Sequence, residues 1–150
     1  MENVFYEGQV LWSQIDANMH MRHSAYADFA AQARFILLEK TGFSANLFQQ
    51  LHIGPILFRE ESVYLREVPL NDIIRVTCEM TKMRSDGSRW SFKQEIYRSD
   101  NVKAAIIKVD GSWLDTKTRK LAILPADLVA QFHTIPKSAD YTEEAAGTKN

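Results

Sequence analysis

The sequence predicts an α+β fold: an antiparallel sheet of about five strands packed against one long helix. Three observations carry it. A single strong helical segment follows the first strand. Long runs of period-two alternation fill the second half of the chain. No strand–helix–strand alternation occurs, which disfavours a parallel doubly wound sheet.

Taken in order, Val4 to Trp12 reads as the first strand, and Ser13 to Ser24 as a polar loop rich in His, Asn and Asp. The helix is expected from about Ala25 to Thr41, some 25 Å long at the usual rise. Ser24 is its expected N-cap, Asp28 suits the positive end of its dipole, and Gly42 stops it. Tyr26, Phe29, Ala33, Ile36, Leu37 and Lys40 share one face; Phe35 and Leu38 lie off it, so more than one side is expected to be covered. A linking segment precedes the strand run Ile56 to Leu65. Ile74, Val76, Cys78 and Met80 then alternate with polar residues, as do Trp90, Phe92 and Ile96. Val102 to Trp113 is a further β-rich run. Ser85-Asp86-Gly87, Ser99-Asp100-Asn101 and Pro69-Leu70-Asn71-Asp72 read as turns. Pro125 to Phe132 reads as a short helix with proline near its start. Residues 1–135 are expected to form one domain. Pro136 to Asn150 has no Val, Ile, Leu, Met, Phe or Trp and reads as a disordered tail. No internal repeat is visible.

Composition excludes several functions. Across 150 residues, Lys+Arg 18 against Asp+Glu 19 leaves a formal charge of -1, so no basic field invites nucleic acid. The lone Cys78 allows neither an internal disulfide nor a thiolate-rich metal site. The acidic start, Met1 to Glu7, is not a secretory signal, no run is long and apolar enough for a membrane span, and a cytoplasmic location is expected.

The chemistry concentrates in Asp16-Ala17-Asn18-Met19-His20, just before the long helix, with Tyr26 ten residues after Asp16. A helix N-terminus carries free N–H donors and positive potential. A carboxylate there can act as nucleophile or general base, while the donors hold a carbonyl oxygen as it gains charge. Acyl transfer is the matching reaction class. Simpler readings stand beside this one. Asn18 taken singly is a turn former, His23 belongs to the start of the helix, and His52 and His133 are structural or solvated. His20 and His23 with Asp16 have metal-ligand chemistry, but their loop spacing does not converge, and no metal is expected.

These residues resemble the hotdog-fold acyl-CoA thioesterases, in particular the 4-hydroxybenzoyl-CoA thioesterase-like group, over about Phe5 to Phe132. Trp12-Ser13-Gln14-Ile15-Asp16, Asn18, His20 and Tyr26 keep that group's spacing. Asp-x-Asn-x-His is also similar to the acyl-carrier-protein thioesterases of the same fold. Val68-Pro69-Leu70-Asn71-Asp72-Ile73 looks like the family's turn, and Leu124-Pro125 like its terminal Leu-Pro. The chain departs from the family at Gln14, Met19, Arg22 and His23, where an acidic residue, Gly and Asn residues are common. The resemblance implies a sheet wrapped around the central helix, assembly as a homodimer or homotetramer, and hydrolysis of an acyl-CoA with no separate cofactor, coenzyme A being part of the substrate. It makes Asp16 the catalytic carboxylate, with Asn18 and His20 orienting water or substrate. The N–H groups near His23 and Ser24 become the oxyanion donors.

Tyr26 belongs to the same expected site, and the acyl pocket is expected between the helix and a neighbouring subunit, with Phe29, Phe58 and Tyr64 among its walls. Arg84 and Arg89 flank a hairpin and are expected to bind the phosphates of coenzyme A, since guanidinium groups match phosphate oxygens. The aromatic content predicts a medium-chain fatty or aromatic acyl group over a dicarboxylic one. Two alternatives remain at this level. One is an enoyl-thioester hydratase of the same fold, whose motif places His five residues after Asp rather than the four found between Asp16 and His20. The other is a non-catalytic acyl-thioester-binding or assembly protein.

Overall fold

A computed structural model describes residues 1–146. The elements run β1 (Val4–Gln9), α1 (His23–Lys40), α2 (Ala45–Leu51), β2 (Ile53–Tyr64), β3 (Ile73–Thr77), β4 (Glu79–Arg84), β5 (Trp90–Tyr97), β6 (Lys103–Asp115), α3 (Ala126–Phe132) and β7 (Lys137–Glu144). The class is α+β, as the period-two runs predict. Strand pairing follows the order β1-β3-β5-β4-β7, with β6 bonded to β5 and β2. Among the described residues the sheet therefore has seven strands rather than about five. Two compact units divide the chain.

The first unit holds residues 1–37, 61–78 and 93–108. Here β1 pairs antiparallel with β3, with Tyr6 opposite Val76 and Gly8 opposite Ile74, and β3 pairs antiparallel with β5. The turns at Asn71 and Asn101 form as expected, both asparagines having positive φ. Most of α1 lies in this unit. Ala25, Tyr26, Phe29, Ala30, Ala33 and Leu37 are buried, an i, i+4, i+8 stripe. Its alanines allow a close approach, and the Gln94 amide donates to the Ala30 carbonyl at 2.8 Å.

Some boundaries move. Trp12 begins a short 3-10 turn instead of ending β1. The helix begins at His23, so Ser24 lies inside it and is not its N-cap; the Ser24 hydroxyl accepts from Arg22 Nε at 2.9 Å. Asp28 falls beyond the first turn.

The second unit holds residues 38–60, 79–92 and 109–150, described to 146. Gly42 ends α1 with φ 95°, which spares a side chain the left-handed penalty. Lys40, expected on the apolar face, is exposed, whereas Leu38 is buried. The linking segment contains α2, which Ser44 caps by accepting from the Leu47 N–H at 3.1 Å. The core is aromatic: Trp113 stacks on Phe43 at 5.6 Å and meets Phe132 edge to face at 5.4 Å. Its indole N–H donates to the Gly87 carbonyl at 2.9 Å, tying the Asp86-Gly87 turn to that core.

The expected disordered tail needs correction for Lys137–Glu144, which is β7 and pairs parallel with β4. Hydrophobic content could not reveal it. Main-chain bonding and ion pairs hold this polar strand in place of buried side chains. Residues 147–150 of the expected tail lie outside the described residues.

Candidate active site

The loop between β1 and α1 is built by its own main chain. Asp16 N–H donates to the His20 carbonyl at 2.8 Å, and Met19 N–H returns to the Asp16 carbonyl at 3.0 Å. So tight a reversal puts Met19 at φ 64°, a conformation where glycine is the easier residue. The loop is anchored within the first unit. Met21 N–H donates to the Val68 carbonyl at 2.8 Å, and Arg22 N–H to the Gln14 carbonyl at 2.7 Å. The Arg22 guanidinium also reaches the Ser13 carbonyl. Arg22 thus clamps the approach to α1.

Held this way, the half-buried Asp16 carboxylate is fixed in direction. Its Oδ1 accepts from the main-chain N–H of Asn18 at 2.8 Å and of His20 at 3.2 Å. Both of these bonds use one oxygen, which leaves Oδ2 as the atom available for chemistry. A pocket of about 320 Å³ is lined by Asp16, His20, Met21, His23, Tyr26, Tyr64 and the Leu65–Glu67 segment. The Tyr64 hydroxyl donates to the His23 carbonyl at 3.3 Å. Burial, aided by Tyr64, Asp16 and Glu67, pushes the Tyr26 phenol above its ordinary pKa, so it stays protonated at neutral pH.

The structure thus brings Asp16, His20, His23, Tyr26 and Tyr64 together. The others lie elsewhere. Asn18 is exposed and reaches the site through its N–H, not its side chain. Ser24 is occupied with Arg22. Phe29 lines a separate pocket of about 270 Å³ with Tyr6 and Gln32. Phe58, Arg84 and Arg89 line a pocket of about 280 Å³ in the second unit. His133 bonds the Ser85 carbonyl at 3.2 Å, and the His52 carbonyl accepts from Thr116 N–H, both structural contacts. Sequence reasoning missed Met21, Arg66 and Glu67; the one available signal was a charged pair between the β2 run and the Val68-Pro69 turn. No helix is long and apolar enough to cross a membrane. Among the described residues no group of three or more His, Cys, Asp and Glu is poised to hold a metal.

Residues 10–132 match the family model described as the thioesterase-like superfamily. A search of curated proteins gives no significant match. Among solved structures, the hypothetical protein SAV2348 from Staphylococcus aureus, in complex with CoA, is 20% identical with TM-score 0.80, covering 98% of this chain and 89% of that one. The DHNA-CoA thioesterase of Staphylococcus aureus is 18% identical with TM-score 0.79, covering 85% and 87%. Slr0204 from Synechocystis, a 1,4-dihydroxy-2-naphthoyl-CoA thioesterase, is 16% identical with TM-score 0.75, covering 87% and 96%. At these identities the likeness establishes the α+β hotdog fold.

Proposed function

The chain belongs to the thioesterase-like superfamily, and from that premise we propose that it hydrolyses an acyl-CoA to the free acid and CoA. One observation carries the reading: a carboxylate held by two main-chain donors lines a pocket together with the first residue of a long helix. The thioester carbonyl sits near the N–H groups of His23 and Ser24, where the helix end stabilises developing negative charge. Two routes use the same groups. In one, Asp16 Oδ2 takes a proton from water as its oxygen bonds to the carbonyl carbon. In the other, Oδ2 itself forms that bond, and water then hydrolyses the acyl-enzyme. In both, the C–S bond breaks and the thiolate leaves, to be protonated. His20 orients the water or the carbonyl, and Asn18 acts through its N–H by aiming Asp16.

The Tyr26 and Tyr64 rings favour an aromatic or medium-chain acyl group. The naphthoyl-CoA thioesterases of the same fold support the aromatic side of that reading. Arg66 is a cation of this pocket, but Glu67 beside it balances the charge, so a second substrate carboxylate gains little. Arg84 and Arg89 supply contacts to the CoA phosphates. Assembly as a homodimer or homotetramer is supported by β2, which among the described residues bonds to β6 alone and exposes Leu57 and Val63. Light scattering of a monomer at micromolar concentration contradicts that part.

A thiol-release assay across a panel of acyl-CoAs tests the activity. The expected best substrates are aromatic or medium-chain. Loss of enoyl-thioester absorbance without free thiol would mean a hydratase instead. Binding without turnover would mean a non-catalytic protein.

A further inference from the structure

The pocket of about 280 Å³ in the second unit gathers three cations, Lys82 and Arg84 at the end of β4 and Arg89 immediately before β5. Each has a different status. The Arg89 guanidinium lies 4.9 Å from the centre of the Phe58 ring and donates to the Ser112 hydroxyl at 3.0 Å, so it is held in place without a carboxylate partner among the described residues. Lys82 Nζ meets Glu144 Oε1 at 2.7 Å, and Arg84 Nε lies 4.0 Å from Glu144 Oε2. The other carboxylate of the pocket, Asp110, accepts from the Ser91 hydroxyl at 2.7 Å and faces Arg59 at 3.9 Å. Glu144 is therefore the anion that answers Lys82 and Arg84, while Arg89 stays open beside them. Trp90 forms part of the wall. Three cations gathered in one pocket suit a ligand rich in anionic oxygen acceptors.

Glu144 comes from β7, beyond residues 10–132 matched by the family model. The parallel register places Glu144 beside Arg84 and Thr142 beside Lys82. We propose that β7 acts as a strap whose Glu144 carboxylate occupies the phosphate site formed by Lys82, Arg84 and Arg89, and that CoA binds by displacing it. This rests on the reading of Arg84 and Arg89 as phosphate contacts. The hydrogen bond from Lys82, with Arg84 beyond it, keeps the Glu144 carboxyl below its ordinary pKa, so the strap is charged at neutral pH. The pairs are exposed, which keeps the strap weak enough to yield to a multiply charged phosphate.

Titration calorimetry of CoA into the full chain tests this. Glu144→Gln is expected to lower the Kd for CoA about three- to tenfold, the range open to two exposed ion pairs. Glu144→Lys, which adds a cation on the same strand, is expected to tighten CoA further and guards against a misfolded first variant. Pantetheine, which has no phosphate, is expected to bind both variants as it binds the parent chain. Arg84→Ala and Arg89→Ala are expected to weaken CoA. If they do and the Glu144 variants do not tighten it, the strap is wrong and the phosphate site stands. If neither arginine variant weakens CoA, the phosphate reading fails and the strap with it. Equal tightening of pantetheine would also overturn the strap.

Discussion

The rings of Tyr26 and Tyr64 meet edge to face, 5.0 Å between centroids and 80° between planes, inside the pocket that holds Asp16. The two come from different elements, the first turn of α1 and the last residue of β2. Tyr64 is half exposed and also bonds the His23 carbonyl, so it links the pocket wall to the helix end. Tyr64→Ala is expected to raise KM for an aromatic acyl-CoA about three- to tenfold, the worth of one aromatic contact, with a smaller change in kcat. Tyr64→Phe keeps the ring and is expected to stay within about twofold. Steady-state kinetics on both variants checks the pair. Equal losses in the two would assign the effect to the hydroxyl.

Gln94 is fully buried on β5, and its amide works at both ends. It donates to the Ala30 carbonyl at 2.8 Å and accepts from Arg34 at 2.7 Å. Gln94→Leu keeps the approximate volume, takes both bonds from α1 and brings the Arg34 head against an apolar group. The expected cost is about 2–3 kcal/mol, since buried groups lose their partner without regaining water. Urea denaturation with an unchanged slope checks it. A loss near zero would mean that Gln94 is spectator packing.

Acid should destabilise the fold in a definite direction. Asp100 is held below its ordinary pKa chiefly by the hydrogen bond from Arg98, and Asp115 by the N–H groups of Thr118 and Lys117. A carboxylate whose folded pKa is depressed adds stability above its unfolded pKa, and loses it as pH falls through the folded value. Stability is thus expected to hold from neutral pH down to about pH 5 and to decline below about pH 4. Asp115→Asn is expected to lower the melting temperature at pH 7 and to shrink the difference between pH 7 and pH 3. Thermal melts read by circular dichroism measure both. An Asp115→Asn chain with the same pH dependence as the parent would remove Asp115 from the account.

Much of this was legible in the residues because it is local. Period-two runs gave the strands, and Asp-Gly at the 86–87 turn gave a hairpin because only a residue tolerant of positive φ fits there. The Asp16-to-Tyr26 spacing placed a carboxylate at a helix start, and the loop does hold it there. What escaped is non-local. β7 is bonded by main chain to a distant strand, and no side-chain pattern records that. α2 is seven residues with no buried position, too short for its period to stand out. Phe29 was expected in the acyl wall because aromatic residues are common there. Helix geometry instead turns it towards Tyr6, 5.5 Å away between ring centres. Arg66 joins the site because the chain turns after β2, which spacing alone does not disclose.

Asp16→Asn asks whether the Asp16 carboxylate carries the proposed hydrolysis. The substitution keeps the volume and one acceptor oxygen for the Asn18 and His20 N–H groups, so the loop has the means to stay folded. It removes only the charge and basicity of Oδ2. Thiol release from the best acyl-CoA of the panel, measured on parent and variant of equal melting temperature, is expected to fall about 10²- to 10⁴-fold in kcat, the usual contribution of a general base. A variant that releases thiol at the parent rate would move the chemistry away from Asp16.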